Sequence, residues 1–258
     1  MKTEKYSAGL PCWVGLGTHD AAVTAEFYGD LLGWDCPEGP PEHGGFRTCL
    51  LKGVPVAGMG ATRGSAPSGW RTYVSVTNID KTIDKVSGAG GSVLLPRTDV
   101  ASAGRLAVVA DTMGAPLGLW QAGDFHGAGI ISEPGAYTWS ELVTDDADES
   151  AAFYGAVFGW KMTSPSPQDS LRRAEWQLGG RSIAGLLPRP PAMPPEMRPY
   201  WDVYFAVADT DATVTKAAKS GATVLLAATN VAHGRFAVFA DPAGHFFSVI
   251  KPAHTRGS

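Results

Sequence analysis

The sequence predicts an α+β protein made of two copies of one domain, and three observations support this prediction. Glycine and proline account for 32 and 19 of the 258 residues, which favours many short elements joined by turns over a helical bundle. Three sequence blocks of the first half recur in the same order in the second half. Each copy also orders its strand-like and helix-like segments as β-α-β-β and then β-α-β-β-β.

The internal repeat defines the domains. AEFYGDLLGW at 25–34 returns as AAFYGAVFGW at 151–160, an offset of 126. WRTYVSVTNID from Trp70 matches WDVYFAVADTD from Trp201 at an offset of 131, and GRLAVVADTMG from Gly104 matches GRFAVFADPAG from Gly234 at an offset of 130. Three blocks in one order at nearly constant spacing indicate duplication of a whole unit. We predict domains at 9–122 and 136–253, joined by a linker at 123–135.

The first strand of each copy leads into a helix. Apolar runs at 12–17 and 137–143 predict the two strands. An aspartate follows each run, Asp20 or Asp145, and its side chain can accept hydrogen bonds from the free N–H groups that begin a helix. Gly33 and Gly159 come after the apolar helical segments, and glycine readily takes the left-handed conformation that ends a helix.

The remaining elements also occur in equivalent pairs. Two short strands are predicted at 46–51 and 54–59, with equivalents at 174–179 and 182–187. A strongly alternating strand follows at 72–77 and at 202–208. A second helix begins near Asp80 or Asp211, and three further short strands complete each copy.

Composition excludes several classes of function. The net charge is −4, so the chain lacks the basic surplus that binding a nucleic-acid backbone requires. No apolar run approaches the roughly 18 residues of a membrane span. The three cysteines, Cys12, Cys36 and Cys49, form no CxxC pair. We therefore expect no disulfide framework or cysteine-rich zinc site, and the reducing cytoplasm as the location.

The repeated motifs resemble those of a known superfamily. FYGDLLGW and FYGAVFGW, together with the turns in ADTMGAPLGLW and ADPAGHFFSVI, resemble the vicinal oxygen chelate superfamily of glyoxalase I, bleomycin-resistance proteins and extradiol dioxygenases. The resemblance covers both copies and is similar to the tandem two-domain members of actinobacteria. It implies two glyoxalase-like domains, each of paired βαβββ modules that form an open curved sheet around a cavity.

The resemblance also implies positions for a divalent metal, which the superfamily holds with His, Gln or Glu side chains. Counting from the aspartate after each first strand places these positions on Trp13, Arg71 and Gly118 in copy one, and on Thr138, Asp202 and Ser248 in copy two. Apart from Asp202, these residues provide poor ligands for a divalent cation. We therefore predict no cofactor and no metal. The alternative is a metal site on the opposite face, one register step away.

The predicted cavity faces differ between the copies. In copy one the inward residues are Trp13, Arg71, Tyr73 and Trp120, a set that could sandwich a flat or anionic ligand. The alternative is that these rings fill the cavity as core and that Arg71 pairs with a carboxylate. In copy two the predicted inward residues are polar and would need a polar ligand or ordered water; they are Thr138, Ser140, Asp202, Tyr204 and Ser248. We expect Glu141 on the face opposite Ser140, in an interface or surface salt bridge rather than as a general base.

Two main hypotheses of function follow. The leading one is metal-independent binding of a small aromatic or polycyclic metabolite, for resistance, sequestration or an accessory step of biosynthesis. The alternative is an enzyme of the same superfamily, a lyase, isomerase or oxygenase/hydroxylase, that works with or without a divalent metal. Without a metal, Asp202 and Tyr204 would act as acid and base. A scaffold protein with two relic cavities is a third reading. The expected partner is a small molecule, with neither nucleic acid nor membrane, and the chain is expected to be a monomer or homodimer.

Overall fold

The computed structural model describes residues 5–40, 44–165, 171–191, 193–194 and 196–253. Each copy contributes two helices and one curved sheet. Copy one contains β1 (Pro11–Thr18), α1 (Ala21–Leu32), β2 (Arg47–Leu51), β3 (Val54–Ala61), β4 (Gly69–Ser75), α2 (Ile79–Gly88), β5 (Ser92–Val100), β6 (Gly104–Ala110) and β7 (Pro116–Ala122). Copy two contains β8 (Tyr137–Thr144), α3 (Ala147–Phe158), β9 (Lys161–Met162), β10 (Ala174–Leu178), β11 (Arg181–Pro188), β12 (Tyr200–Ala206), α4 (Thr210–Lys219), β13 (Thr223–Val231), β14 (Gly234–Ala240) and β15 (Phe246–Pro252).

The two modules of each copy join within that copy. The strand order is β2-β3-β1-β4-β7-β6-β5 in one sheet and β13-β14-β15-β12-β8-β11-β10-β9 in the other. The joint is an antiparallel pair of the first strands of the modules, β1 with β4 and β8 with β12. The modules therefore pair within a copy and are not exchanged between the copies, and this architecture confirms the predicted fold class of two glyoxalase-like sheets.

The first helix of each copy is capped by an aspartate and ended by a glycine. Asp20 accepts hydrogen bonds from the backbone N–H groups of Ala22 and Val23. Gly33 and Gly159 take the left-handed conformation, with φ of 77° and 73°. The cap of α3, the first helix of copy two, lies one residue from the predicted position. Asp146 caps α3, and the side chain of Asp145 instead forms an ion pair with Arg189.

The hydrophobic cores are shared between the copies. One core joins α1 and its strands to copy-two side chains that include Phe205 and Phe247. The other joins α3 and its strands to copy-one side chains that include Val74 and Leu119. Each core thus combines the first module of one copy with the second module of the other. Neither copy buries its apolar helix face alone, so the two copies depend on each other for burial.

The repeated FYG motif supplies a buried hydrogen bond that also crosses between the copies. The Tyr154 hydroxyl donates to Asp111 Oδ2 at 2.9 Å and accepts from Trp201 Nε1 at 2.9 Å. Tyr28 makes the equivalent contacts in the other core, to Asp241 Oδ2 at 3.2 Å and from Trp70 Nε1 at 2.8 Å. These hydroxyls satisfy buried carboxylates, which would otherwise be costly to desolvate.

One disulfide contradicts the expectation of a chain with reduced cysteines. Cys36, just after α1, is bonded to Cys49 in β2, while Cys12 is a free and buried thiol. No motif in the sequence predicts this pair, because the residues between Cys36 and Cys49 show no regular spacing of apolar residues. Separately, none of the described helices has the length and apolarity that crossing a bilayer requires.

Candidate functional site

A cavity of about 720 Å³ lies on the concave face of the copy-two sheet. Most of the surface of its walls is apolar, and several polar side chains also line it. The apolar residues include Trp139, Ala174, Val231, Phe236, Ile250 and Pro252. The polar residues include Thr138, Glu141, Thr163, Ser164, Arg173, Glu175, Tyr204 and His233. A concave chamber whose surface is mainly apolar and in which polar groups converge is the usual form of a small-molecule site.

Glu141 and Tyr204 form the polar centre of this cavity. The Tyr204 hydroxyl donates to Glu141 Oε2 at 2.9 Å, and Arg173 Nε lies 3.9 Å from the other carboxylate oxygen. Glu141 is 8% exposed, which is unusual for a glutamate. Burial, followed by the nearby charge of Glu141, raises the pKa of Tyr204 well above its usual range. Tyr204 therefore stays protonated at neutral pH and can donate a hydrogen bond.

Asp202 lies beside this pair but is covered. It is the cross-strand neighbour of Glu141, and its Oδ2 accepts a hydrogen bond from Ser248 Oγ at 2.6 Å. Its Oδ1 is buried without a partner. Burial raises the pKa of Asp202 to about 7, opposed by the Ser248 hydrogen bond and assisted by the charge of Glu141. Asp202 and Ser248 thus form a polar layer behind the cavity wall rather than part of the wall.

A bulge explains which first-strand residues face the cavity. Between Tyr204 and Phe205 the register of the β8–β12 pair shifts, so that Thr138 is the extra residue. Thr138 and Trp139 both line the cavity, and Glu141 follows two residues later. Ser140, predicted to point inward, faces the other way and hydrogen-bonds to Thr72 Oγ1 at 2.6 Å, between the two sheets. Glu141 is opposite Ser140 as expected, but it is the one that faces the cavity.

The wrong assignment of Ser140 to the cavity face of copy two came from the choice of the helix-capping residue. Counting started from Asp145, whereas Asp146 is the residue that corresponds to Asp20. The 126-residue offset of the repeat, carried back into the first strand, pairs Trp13 with Trp139 and places Glu141 opposite Gly15 of copy one. That offset was the signal in the sequence that could have identified Glu141 and Trp139.

In copy one, side chains occupy the equivalent space. Trp13 and Trp120 belong to one buried cluster, with Tyr73 packed against it, and both tryptophan rings contact Phe125 edge-on. The Tyr73 ring lies over Gly118, so that a Cβ there would be 2.2 Å from Tyr73 Cδ1. The structure thus favours the alternative in which these aromatic residues act as core. The other half of that alternative, an ion pair of Arg71, does not occur among the described residues.

Replacing Gly118 with serine, the residue that copy two carries as Ser248, is expected to destabilise the protein by about 1–3 kcal/mol, because the new side chain overlaps the Tyr73 ring. Urea denaturation measures the change. Adding Tyr73→Ala should recover part of the loss. Gly88→Ser is the control, since that site is open and the effect should stay within about 0.5 kcal/mol. Equal effects at both glycines would show that copy one is not filled as described.

The residues at the expected metal positions do not form a suitable ligand set. In copy one they are an indole, a guanidinium and a glycine, none of which binds a divalent cation. In copy two, Asp202 already bonds to Ser248, and Arg173 brings a positive charge close to Glu141. Across the described parts of the chain no three His, Cys, Asp or Glu side chains converge. We therefore assign no chemistry to a metal here.

Comparisons with known proteins agree with this architecture. Residues 141–250 match the family described as "Glyoxalase-like domain". A putative glyoxylase of Mycobacterium tuberculosis, CFP32, is 38% identical over 259 residues, which cover 98% of each chain. The chain belongs to the glyoxalase-like proteins of the vicinal oxygen chelate superfamily. This confirms the resemblance inferred from the FYG and Asp-turn motifs.

One further relative and two solved structures extend the comparison. The anthracycline biosynthesis protein DnrV of Streptomyces peucetius is 33% identical over 267 residues, covering 96% of this chain and 94% of that protein. Among solved structures, a Mn(II)-bound glyoxalase from Novosphingobium aromaticivorans has a TM-score of 0.64 at 16% identity, over 95% of this chain and 82% of that one. The 2,3-dioxygenase LapB from Pseudomonas sp. KL28 has a TM-score of 0.63 at 12% identity, with coverage of 97% and 94%. At such identities the structures show the shared fold alone.

Proposed function

We propose that this glyoxalase-like protein binds a small aromatic or polycyclic metabolite in the copy-two cavity, without a metal, as part of secondary metabolism. The observation that carries the proposal is the contrast between the copies. The 720 Å³ chamber has Trp139 and Phe236 in its walls, whereas Trp13 and Tyr73 close the equivalent space in copy one. The names of the Streptomyces relatives, which refer to anthracycline biosynthesis, support a ligand of the polycyclic class.

The cavity offers such a ligand two kinds of contact. A flat apolar body would pack against Trp139, Phe236 and Ile250, with removal of apolar surface from water as the driving force. Hydroxyl or carbonyl groups on its edge would meet the Glu141–Tyr204 pair, where the carboxylate accepts hydrogen bonds and the phenol donates them. Both kinds of contact lie in one chamber.

The test compares equivalent positions of the two copies. We expect 1,4-dihydroxyanthraquinone to raise the melting temperature and to quench tryptophan fluorescence. Ligand at a hundred times the Kd would stabilise the protein by about 2.7 kcal/mol. Phe236→Ala removes part of the cavity wall and should weaken binding about tenfold, equivalent to about 1.4 kcal/mol. Leu106→Ala, at the matching position of copy one, should bind as the unchanged protein does. If both variants weaken binding equally, or if no binding is seen, the cavity assignment is wrong.

A second candidate function is an enzyme on the same cavity. The 2.9 Å hydrogen bond between Tyr204 and Glu141 favours it, because the pair could exchange a proton with a bound substrate. Tyr204 keeps the role proposed from the sequence, whereas Glu141 replaces the covered Asp202. Conversion of a bound aromatic that is lost in Glu141→Gln, with binding retained, would favour this alternative. Stoichiometric iron, zinc, manganese or nickel in protein purified without chelator would overturn the metal-independent proposal.

A further inference from the structure

Arg71, in the middle of β4, is a buried cation without an anionic partner. The residue is 6% exposed. Its Nη2 donates to the carbonyl of Pro67 at 2.9 Å, and its Nε is fully buried with no hydrogen-bond partner. In the described parts of the chain no carboxylate pairs with this guanidinium. An uncompensated buried charge is strongly destabilising, so a group of opposite charge is expected to complete the site.

The neighbouring positions explain why the protein itself supplies no counter-charge. Across the sheet, Arg71 pairs with Gly15, and Gly15 pairs with Gly58 on the next strand. In copy two the matching pair is Asp202 with Glu141, so the residue that could have neutralised Arg71 is a glycine here. The row beside the guanidinium therefore contains two positions without side chains.

Aromatic rings close this row from above. The Phe46 ring lies over Gly58, where a Cβ would approach Phe46 Cζ to 2.3 Å, and the Trp13 ring lies 3.2 Å from the same point. Phe46 is 40% exposed, so part of its ring already contacts solvent.

A second unpartnered donor lies on the same face. Thr62 Oγ1 is buried without a hydrogen-bond partner and lies 3.4 Å from the position of a Cβ on Gly17. Gly17 is two residues from Gly15 and so faces the same side of β1. The carbonyl of Pro67, which holds Arg71, lies 3.8 Å from that same Cβ position. A hydroxyl and a guanidinium, both with unused N–H or O–H groups, are the donors that bind a carboxylate.

We propose that the part of the copy-one face between Gly58 and Arg71 becomes a second binding site when the Phe46 ring turns away from it, and that this site takes an aromatic carboxylate at Arg71. The Trp13, Tyr73 and Trp120 rings fill the rest of that face. The guanidinium binds the carboxylate through charge-assisted hydrogen bonds, and the Phe46 and Trp13 rings flank the aromatic body. At this site a buried cation, Arg71, occupies a position where the resemblance implied a metal ligand. It is separate from the copy-two cavity and does not depend on the function proposed there.

The probe is sodium benzoate, with benzamide as its neutral analogue and the full chain as the protein. We expect benzoate, but not benzamide, to raise the melting temperature and to perturb tryptophan fluorescence. Arg71→Met should weaken benzoate binding at least tenfold. Arg71→Lys keeps the charge without the planar fork and should weaken it at least threefold. Arg105→Met removes an exposed arginine of the same copy and is the control, which should bind as the unchanged protein does.

Three results would overturn the proposal. They are equal effects of benzoate and benzamide, unchanged benzoate binding in both Arg71 variants, and equal losses in Arg71→Met and Arg105→Met. Phe236→Ala separates this site from the copy-two cavity, because it should weaken 1,4-dihydroxyanthraquinone and leave benzoate unaffected. A loss of benzoate binding in Phe236→Ala would place benzoate in the other cavity and also overturn the proposal.

Discussion

Replacing Tyr154 with alanine is expected to lower the free energy of unfolding by about 3–5 kcal/mol, the range for deletion of a large buried aromatic side chain. Tyr154 is fully buried, and its ring contacts Trp160, Trp176 and Trp201. Tyr154→Phe keeps the ring and should cost about 1–3 kcal/mol, because Trp201 Nε1 and Asp111 Oδ2 each lose a hydrogen bond in the core. Urea denaturation followed by fluorescence measures both changes.

A double-mutant cycle of Tyr154→Phe with Asp111→Asn tests the contact between the copies directly. We expect a coupling energy of about 0.5–3 kcal/mol and a single unfolding transition, since each core combines modules of both copies. Val23→Ala is the control. Val23 lies on the matching helix but is 54% exposed, so the change should stay within about 0.5 kcal/mol. Two separate transitions, with Tyr154 affecting one alone, would contradict the shared-core description.

Asp202 is expected to make the protein less stable as the pH rises. Its pKa is about 7 in the folded chain against 3.8 in the reference state, so between these values the folded state holds a proton that the unfolded state has released. The stabilisation is complete below about pH 4 and is lost as the pH passes 7. At 1.36 kcal/mol for each pH unit, the loss is on the order of 4 kcal/mol. The free energy of unfolding measured from pH 4 to pH 8 shows this slope.

Asp202→Asn should remove most of that slope while keeping an acceptor for Ser248. The variant should also be more stable than the unchanged protein at pH 8, where the buried carboxylate would be charged. Asp211→Asn is the control of opposite sign, because the hydrogen bond from Arg235 lowers the pKa of that exposed carboxyl. Its contribution should disappear at acid pH instead. A slope that survives in Asp202→Asn would assign the titration to another group; burial also raises the pKa of Asp111.

Local signals in the sequence were sufficient for the duplication, the elements and the helix ends. Gly33 and Gly159 end their helices because few other residues take the left-handed conformation, and this requirement is local. The alternation along β4 and β12 placed Arg71 and Tyr73, and likewise Asp202 and Tyr204, on one face each, because the side-chain period of a strand is two. The same alternation did not predict which residues after Thr138 face the cavity. Thr138 is the extra residue of a bulge, and a bulge depends on how the strand pairs with its neighbour.

The sequence by itself determined that this protein is a duplicated glyoxalase-like chain whose expected metal positions, apart from Asp202, carry residues that are poor ligands for a metal. Only the tertiary structure decided which cavity is open. Tyr73 pairs with Gly118 in copy one, and the equivalent Tyr204 pairs with Ser248 in copy two. Because Gly118 has no Cβ, the Tyr73 ring packs directly over it and fills the cavity space of copy one. Whether a cavity is open depends on the side-chain volumes that several strands contribute together, and the residue pattern of a single strand cannot predict this.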